Sequence, residues 1–228
     1  MNCVDVSEWN GLIDWNKAMA DGCEYAIIRA GFGRTGVDKY FEINIENAFE
    51  AGFKIGVYYY SYATDYDSAI EEAKHCIELI EPYKNKISLP VFYDVEEERN
   101  IARITDVCMG FINTLNYYGY NCGIYTMVGW YDTFFKPIST DYIWLASWGS
   151  DDGEPHKKPD YCDIWQYTSK GSVSGIANNS VDCDIIYNTE MNLLINNDSE
   201  MNVEKLFKDI YTKLDEINKL LSELERII

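Results

Sequence analysis

Positive charge is scarce in this chain of 228 residues: 19 Lys and Arg stand against 38 Asp and Glu, a formal net charge of −19. That balance excludes a nucleic-acid or anionic-membrane partner, since both are bound through clustered Lys and Arg. Histidine is scarcer still. His75 and His156 are the only two, far apart and in no metal-ligand spacing, so neither a metal nor another cofactor is expected. The seven cysteines, at positions 3, 23, 76, 108, 122, 162 and 183, form no CxxC pair and no compact disulfide framework, and read as reduced, mostly buried thiols. No apolar run reaches the length of a membrane span. The chain opens Met-Asn-Cys-Val-Asp, without the basic-then-apolar pattern of a secretory leader, and cytoplasmic synthesis without a signal peptide is the expectation.

What the chain has in quantity is aromatic rings, 15% of residues, led by 19 Tyr and 6 Trp. Rings with a polar tip suit sugar faces, though core packing accounts for many of them. The most informative segment is Asp94-Val95-Glu96, which follows the apolar run Leu89-Pro90-Val91-Phe92-Tyr93. Alternation along a strand turns Asp94 and Glu96 to one face and Val95 to the other. Neighbouring carboxylates repel, which holds one protonated at neutral pH, the state that general acid catalysis at a glycosidic oxygen requires. The plainer reading is an acidic strand end running into the solvated Glu97 and Glu98.

Periodicity places short strands at Cys3 to Ser7, Tyr25 to Gly31, Lys54 to Tyr62, Leu89 to Glu96 and Cys122 to Thr126. Helices are predicted between them: from an Asp14 cap to Ala20, Phe41 to Ala51, Asp67 to Ile80, and Thr105 to Tyr118. After residue 140 three more strands, Tyr142 to Trp148, Cys162 to Thr168 and Val181 to Ile186, are joined mostly by loops. The pattern predicts an α/β fold, an irregular parallel (β/α) barrel of five βα units followed by three strands. In such barrels functional groups gather at the carboxyl ends of the strands. The candidates there are Asp5, Arg29, Tyr58, Tyr60, Asp94, Glu96, Tyr125, Trp148, Gln166 and Asp182. Each has a structural alternative, such as an internal ion pair for Arg29 or a satisfied core hydroxyl for Tyr58.

These segments resemble glycoside hydrolase family 25, the muramidases that include fungal, bacterial and bacteriophage lysozymes. The resemblance covers residues 2 to about 195. It is carried by Val4-Asp5-Val6-Ser7, Trp9-Asn10-Gly11, Ile13-Asp14-Trp15, Ala26-Ile27-Ile28-Arg29-Ala30-Gly31, Gly56-Val57-Tyr58-Tyr59-Tyr60, Tyr93-Asp94-Val95-Glu96, Gly123-Ile124-Tyr125, Trp144-Leu145-Ala146, Trp165-Gln166-Tyr167 and Val181-Asp182. It implies hydrolysis of the β-1,4 bond from N-acetylmuramic acid to N-acetylglucosamine in bacterial peptidoglycan. Glu96 would be the acid. Asp94 would stay ionised, either stabilising an oxocarbenium-like transition state or orienting the substrate's acetamido group. Asp5 and Asp182 would flank this pair, with Asp184 an alternative to Asp182. Tyr58 and Tyr125 would position the sugar, Trp148 would stack on it, and Arg29 would meet substrate or balance the acids. Retention of configuration is favoured by analogy. Glu97 and Glu98 are expected to be nearly silent. The absent leader fits a phage endolysin that reaches the wall after release; a chitinase-like hydrolase and a catalytically weak wall-binding module are the alternatives.

The catalytic region is read as 1–195, with a polar linker at 196–200 and a helix at 201–228. In that helix Val203, Phe207, Ile210, Leu214, Ile217, Leu221, Leu224 and Ile228 form an unbroken heptad seam. Leu recurring at a and Ile recurring at d favours more than two strands, a tetramer over a trimer. Docking of an amphipathic helix on its own barrel is the alternative. Met201 is a candidate internal translation start.

Overall fold

A computed structural model of the chain describes residues 2–177 and 180–194. The linker, the heptad seam and Met201 lie outside the described residues, which belong to a compact unit ending at Leu194. Nine strands and five α-helices follow one another as β1 (Asn2–Val6), α1 (Trp15–Ala20), β2 (Tyr25–Phe32), β3 (Gly36–Val37), α2 (Phe41–Glu50), β4 (Lys54–Tyr60), α3 (Tyr66–Ile80), β5 (Ile87–Asp94), α4 (Ile104–Tyr117), β6 (Cys122–Met127), α5 (Val128–Trp130), β7 (Tyr142–Ala146), β8 (Ile164–Gly171) and β9 (Val181–Ile186). Eight strands close in the order β1-β2-β4-β5-β6-β7-β8-β9, and the short β3 pairs only with β2.

The predicted barrel is present, with one departure. Strands β1 to β8 of the closed ring run parallel, but β9 is antiparallel to both β8 and β1. The loop after Gly171 is short, with no helix among its described residues, so the chain turns back beside β8 rather than crossing over. This reversal matters for the site. Asp182 sits at the beginning of its strand, and it is the antiparallel course of β9 that brings that beginning to the mouth where the other strands end.

Two apolar layers hold the barrel. Val4, Val6, Ala26, Ile28, Val57, Tyr59, Val91 and Tyr93 point outward to the helices, while Tyr25, Ile27, Tyr58, Leu89, Phe92, Tyr125 and Trp144 fill the interior. The alternation is that of a pleated strand buried on both faces. Gly123 belongs to the inner layer because a Cβ there would stand 2.6 Å from the Phe92 ring. Helix starts follow local chemistry: Asp14 accepts from the Lys17 amide at the head of α1, and Asp65 forms a capping box with Ser68 ahead of α3. Among the described residues no helix is long and apolar enough to cross a membrane.

One buried polar cluster ties the mouth to the helices. Glu72 of α3, 1% exposed, accepts from Tyr93 Oη at 2.6 Å and from the Tyr62 amide at 2.9 Å. Ser61 Oγ donates to Tyr93 Oη at 2.7 Å, and Asn100 Nδ2 donates to Ser61 Oγ and to the Ala63 carbonyl at 3.2 and 2.8 Å. The segments that follow Tyr60 at the end of β4 and Asp94 at the end of β5, the second carrying Glu96, are thereby joined. Replacing Glu72 by Ala takes the acceptor from the buried Tyr93 hydroxyl and from the part-buried Tyr62 amide, each loss costing roughly 1–3 kcal/mol. Denaturant unfolding of Glu72→Ala should therefore show a loss of about 2–4 kcal/mol; an unchanged midpoint counts against the cluster as a tie.

Candidate active site

The carboxyl ends of the strands surround a cavity of about 460 Å³ lined by all ten residues singled out from the sequence, together with Ser7, Trp9, Asn10, Trp144 and Ser180. Each arrives by strand alternation: Asp5 from β1, Arg29 from β2, Tyr58 and Tyr60 from β4, Asp94 from β5, Tyr125 from β6, Gln166 from β8 and Asp182 from β9. Glu96 and Trp148 follow the ends of β5 and β7 rather than lying within them.

Asp94 is 5% exposed, and its Oδ1 is buried with no hydrogen-bond partner among the described residues. Burial pushes its carboxyl well above the usual range, the charge on Glu96 adds to this, and Arg29 draws it back. Glu96 is also raised, by burial first and by Glu97 second. The expectation of a plainly ionised Asp94 beside a protonated Glu96 thus meets an opposing pressure, because desolvation at the strand end acts on Asp94 more than on Glu96. Asp182 is pushed up to about 7 by burial, then by Glu96 and Asp151. Asp5 stands well above its ordinary value for the same first reason, with Asp182 and Asp184 adding to it.

Hydrogen bonds sort the remaining candidates. Gln166 Nε2 donates to Asp5 Oδ2 at 2.8 Å, while its Oε1 accepts from Tyr125 Oη and Trp148 Nε1, both at 2.9 Å. Arg29 is held on two sides, with Nε on Asp38 Oδ2 at 2.8 Å and an Nη on Glu8 Oε1 at 2.9 Å. It is therefore an internal ion-pair partner that also lends positive charge to Asp94 and Tyr58. Asp184 lies deeper, 1% exposed, accepting from Trp144 Nε1 at 2.8 Å, whereas Asp182 lines the cavity.

Glu97 corrects an expectation. It accepts from Tyr60 Oη at 2.9 Å, makes a capping box with Asn100, and its charge raises Glu96. Beyond the end of β5 the chain leaves the pleat, so strand alternation no longer predicts which way residue 97 points. Trp9, 76% exposed at the rim of the cavity, and Asp38 and Glu8 were also not among the candidates; a lone cation in an acidic mouth was the signal for the last two. Among the described residues no group of three or more His, Cys, Asp and Glu is arranged to hold a metal, and all seven cysteines are free.

Residues 4–176, most of the barrel, match the family model for glycosyl hydrolases family 25. The chain belongs to that family. Among its relatives, the autolytic lysozyme of Clostridium acetobutylicum is 28% identical over 185 residues, which is 81% of this chain and 55% of that protein. Lysozyme M1 of Streptomyces globisporus is 26% identical, over 76% of this chain and 64% of that one. The chain thus aligns with roughly half to two-thirds of the length of these relatives. Among solved structures, the catalytic domain of endolysin ply40 from bacteriophage P40 of Listeria monocytogenes superposes with a TM-score of 0.72 at 26% identity, covering 82% of this chain and 92% of that one.

The crowded acids have a consequence for this family 25 barrel's stability. An aspartate whose folded pKa is raised from 3.8 to about 7 binds a proton in the native state that the unfolded chain has already lost. It stabilises the fold below the unfolded value, and that contribution disappears as pH rises through 7. The melting temperature should accordingly fall between pH 5 and pH 8, and Asp182→Asn should flatten part of that fall, with about 2–4 °C for each kcal/mol relieved. Parallel wild-type and Asp182→Asn profiles across this range would rule out a raised Asp182.

Proposed function

We propose that the chain is an N-acetylmuramidase that cleaves the β-1,4 bond between N-acetylmuramic acid and N-acetylglucosamine in bacterial peptidoglycan, acting as an endolysin. The observation that carries this reading is the pair Asp94 and Glu96 in a cleft walled by Tyr58, Tyr60, Tyr125 and Trp148. The family, the two lysozyme relatives and the likeness to a phage endolysin domain support it.

Glu96 is the general acid and later the base. Burial and the charge of Glu97 raise its proton affinity, and it delivers a proton to the leaving oxygen. Asp94 does its work through charge. Its anion is costly in the buried ground state, and the positive charge that develops on the sugar ring favours that anion at the transition state. An interaction stronger at the transition state than before it is one that accelerates the reaction. Asp94 either faces the oxocarbenium directly or orients the 2-acetamido group that attacks it. Asp5 and Asp182 hydrogen-bond sugar hydroxyls from the opposite wall, and Trp148 offers a stacking face. Catalysis uses no cofactor.

Product chemistry tests the assignment. Digestion of purified Gram-positive walls, borohydride reduction and hydrolysis should yield muramicitol; glucosaminitol, or release of soluble fragments from chitin in place of peptidoglycan, points to another glycosidase. Glu96→Gln should lose roughly 10²- to 10⁴-fold in rate with its fold intact, and half-retained activity shows that another residue is the acid.

The tail adds a second element to the proposal. Its heptad seam assembles several barrels, a tetramer being favoured and a trimer the alternative, so that linked heads engage the wall together. Met201 starts a shorter product that joins the same bundle. Light scattering after size exclusion should give an oligomer for residues 1–228 and a monomer for 1–198; a monomeric full-length chain at micromolar concentration rejects the bundle, and mass spectra without a species beginning at Met201 reject the internal start.

A further inference from the structure

We propose that Asp5 and Asp184 hold one proton between them, and that this bridge, acting through Gln166, positions the cleft wall that carries Trp148. The starting observation is an orphan. Asp184 Oδ1 accepts from Trp144 Nε1 at 2.8 Å, but Asp184 Oδ2 is fully buried and has no partner among the described residues. A buried carboxylate oxygen left unpaired is expensive, and a proton is the smallest thing that can satisfy it.

The strand register says where that proton goes. Asp5 lies opposite Asp182 across β1 and β9, and Cys3 lies opposite Asp184. Asp5 and Asp184 are therefore diagonal neighbours on the same inward face, a spacing that side chains span, and their carboxyls are within hydrogen-bonding reach. Two anions in this position repel; one shared proton makes them donor and acceptor. Burial comes first and Asp182 next among the causes that push Asp5 well above its ordinary range, and burial leads for Asp184 as well.

The bridge has an outlet toward the cleft. Asp5 Oδ2 accepts from Gln166 Nε2, and Gln166 Oε1 accepts from both Tyr125 Oη and Trp148 Nε1. Two donors on the oxygen forbid a flipped amide, so the nitrogen must face an acceptor on Asp5. Losing the shared proton places a second negative charge beneath Gln166, and Asp5 and Asp184 move apart. The titratable groups inside the barrel facing this pair are Asp182 on β9, Cys3 on β1, Tyr58 on β4 and Tyr125 on β6, while Cys183 on β9 and Tyr167 on β8 couple to it from the outer face. The positive charge of Arg29 on β2 is felt by Tyr58 and Asp94.

Asp184→Asn tests the bridge, because the amide carries a permanent N–H where the shared proton sits and keeps an oxygen for Trp144. The variant should match wild type in melting temperature at pH 5 and exceed it at pH 9, where wild type has lost the proton. Asp184→Ala should melt below wild type at both. On walls, an arm that rests on the muramidase reading, the KM of wild type should rise on the alkaline side while that of Asp184→Asn stays level; the fall in kcat that belongs to Glu96 should remain in both. The melting profiles stand without any activity, so a wild-type protein inactive on walls overturns that reading and leaves the bridge to be judged by stability alone. An Asp184→Asn protein less stable than wild type by the same margin from pH 5 to pH 9 overturns the bridge. If that variant does not fold, carbon-13 titration of the wild-type carboxyls decides. Coupled titration of Asp5 and Asp184 with one proton retained above pH 5 supports the bridge, and independent loss of both protons below pH 5 overturns it.

Discussion

Desolvation of carboxylates is the constraint around which this barrel is arranged. Asp5, Asp94, Glu96, Asp182 and Asp184 lie at or just below one mouth, and for every one of them burial is the leading cause of a raised proton affinity. A single buried anion is tolerated when donors or cations surround it. Here the donors are few: Gln166 for Asp5, Trp144 for Asp184, and the Tyr60 hydroxyl near Glu96 and Glu97. Among the described residues the cation that lines the mouth, Arg29, is already engaged by Asp38 and Glu8. With so few donors, burial raises the proton affinity of all five acids together.

The rest of the architecture serves that arrangement. The inner aromatic layer of Tyr58, Phe92, Tyr125 and Trp144 packs beneath the acids, with Gly123 conceding space to Phe92. The outer cluster around Glu72 locks the segments beyond β4 and β5, so that the chain leaves the barrel after Tyr60 and Asp94 from fixed points. Apolar floor and fixed rim are separate devices, one setting proton affinity and the other setting geometry.

Much of this was legible in the sequence. The eight barrel strands and the four longer helices follow from apolar periodicity and from caps such as Asp14 and Asp65, because those signals are local. All ten candidate residues meet in one cleft, since alternation along a strand sends every second side chain inward. The misses are nonlocal or irregular. The direction of β9 depends on what its neighbours leave open, and the two-residue β3 has too few residues for a period to show. Glu97 escaped because its backbone has left the strand. The partners of Arg29 escaped because Glu8 and Asp38 are 21 and 9 residues from it in sequence and no spacing rule connects them.

The antiparallel closure by β9 also fixes when the site comes into being during synthesis. Strand β1 finds one neighbour early in β2 but waits for β9, the last barrel strand in sequence, to cover its other edge, with Asn2 pairing to Ile185. Pairings distant in sequence are slow to form. Until then Asp182 and Asp184 are missing from the mouth, and the burial that raises the other acids is incomplete. A nascent chain several strands long therefore has Asp94 and Glu96 without the full surroundings that raise their proton affinity, and those surroundings are completed by the last strand of the barrel to be made.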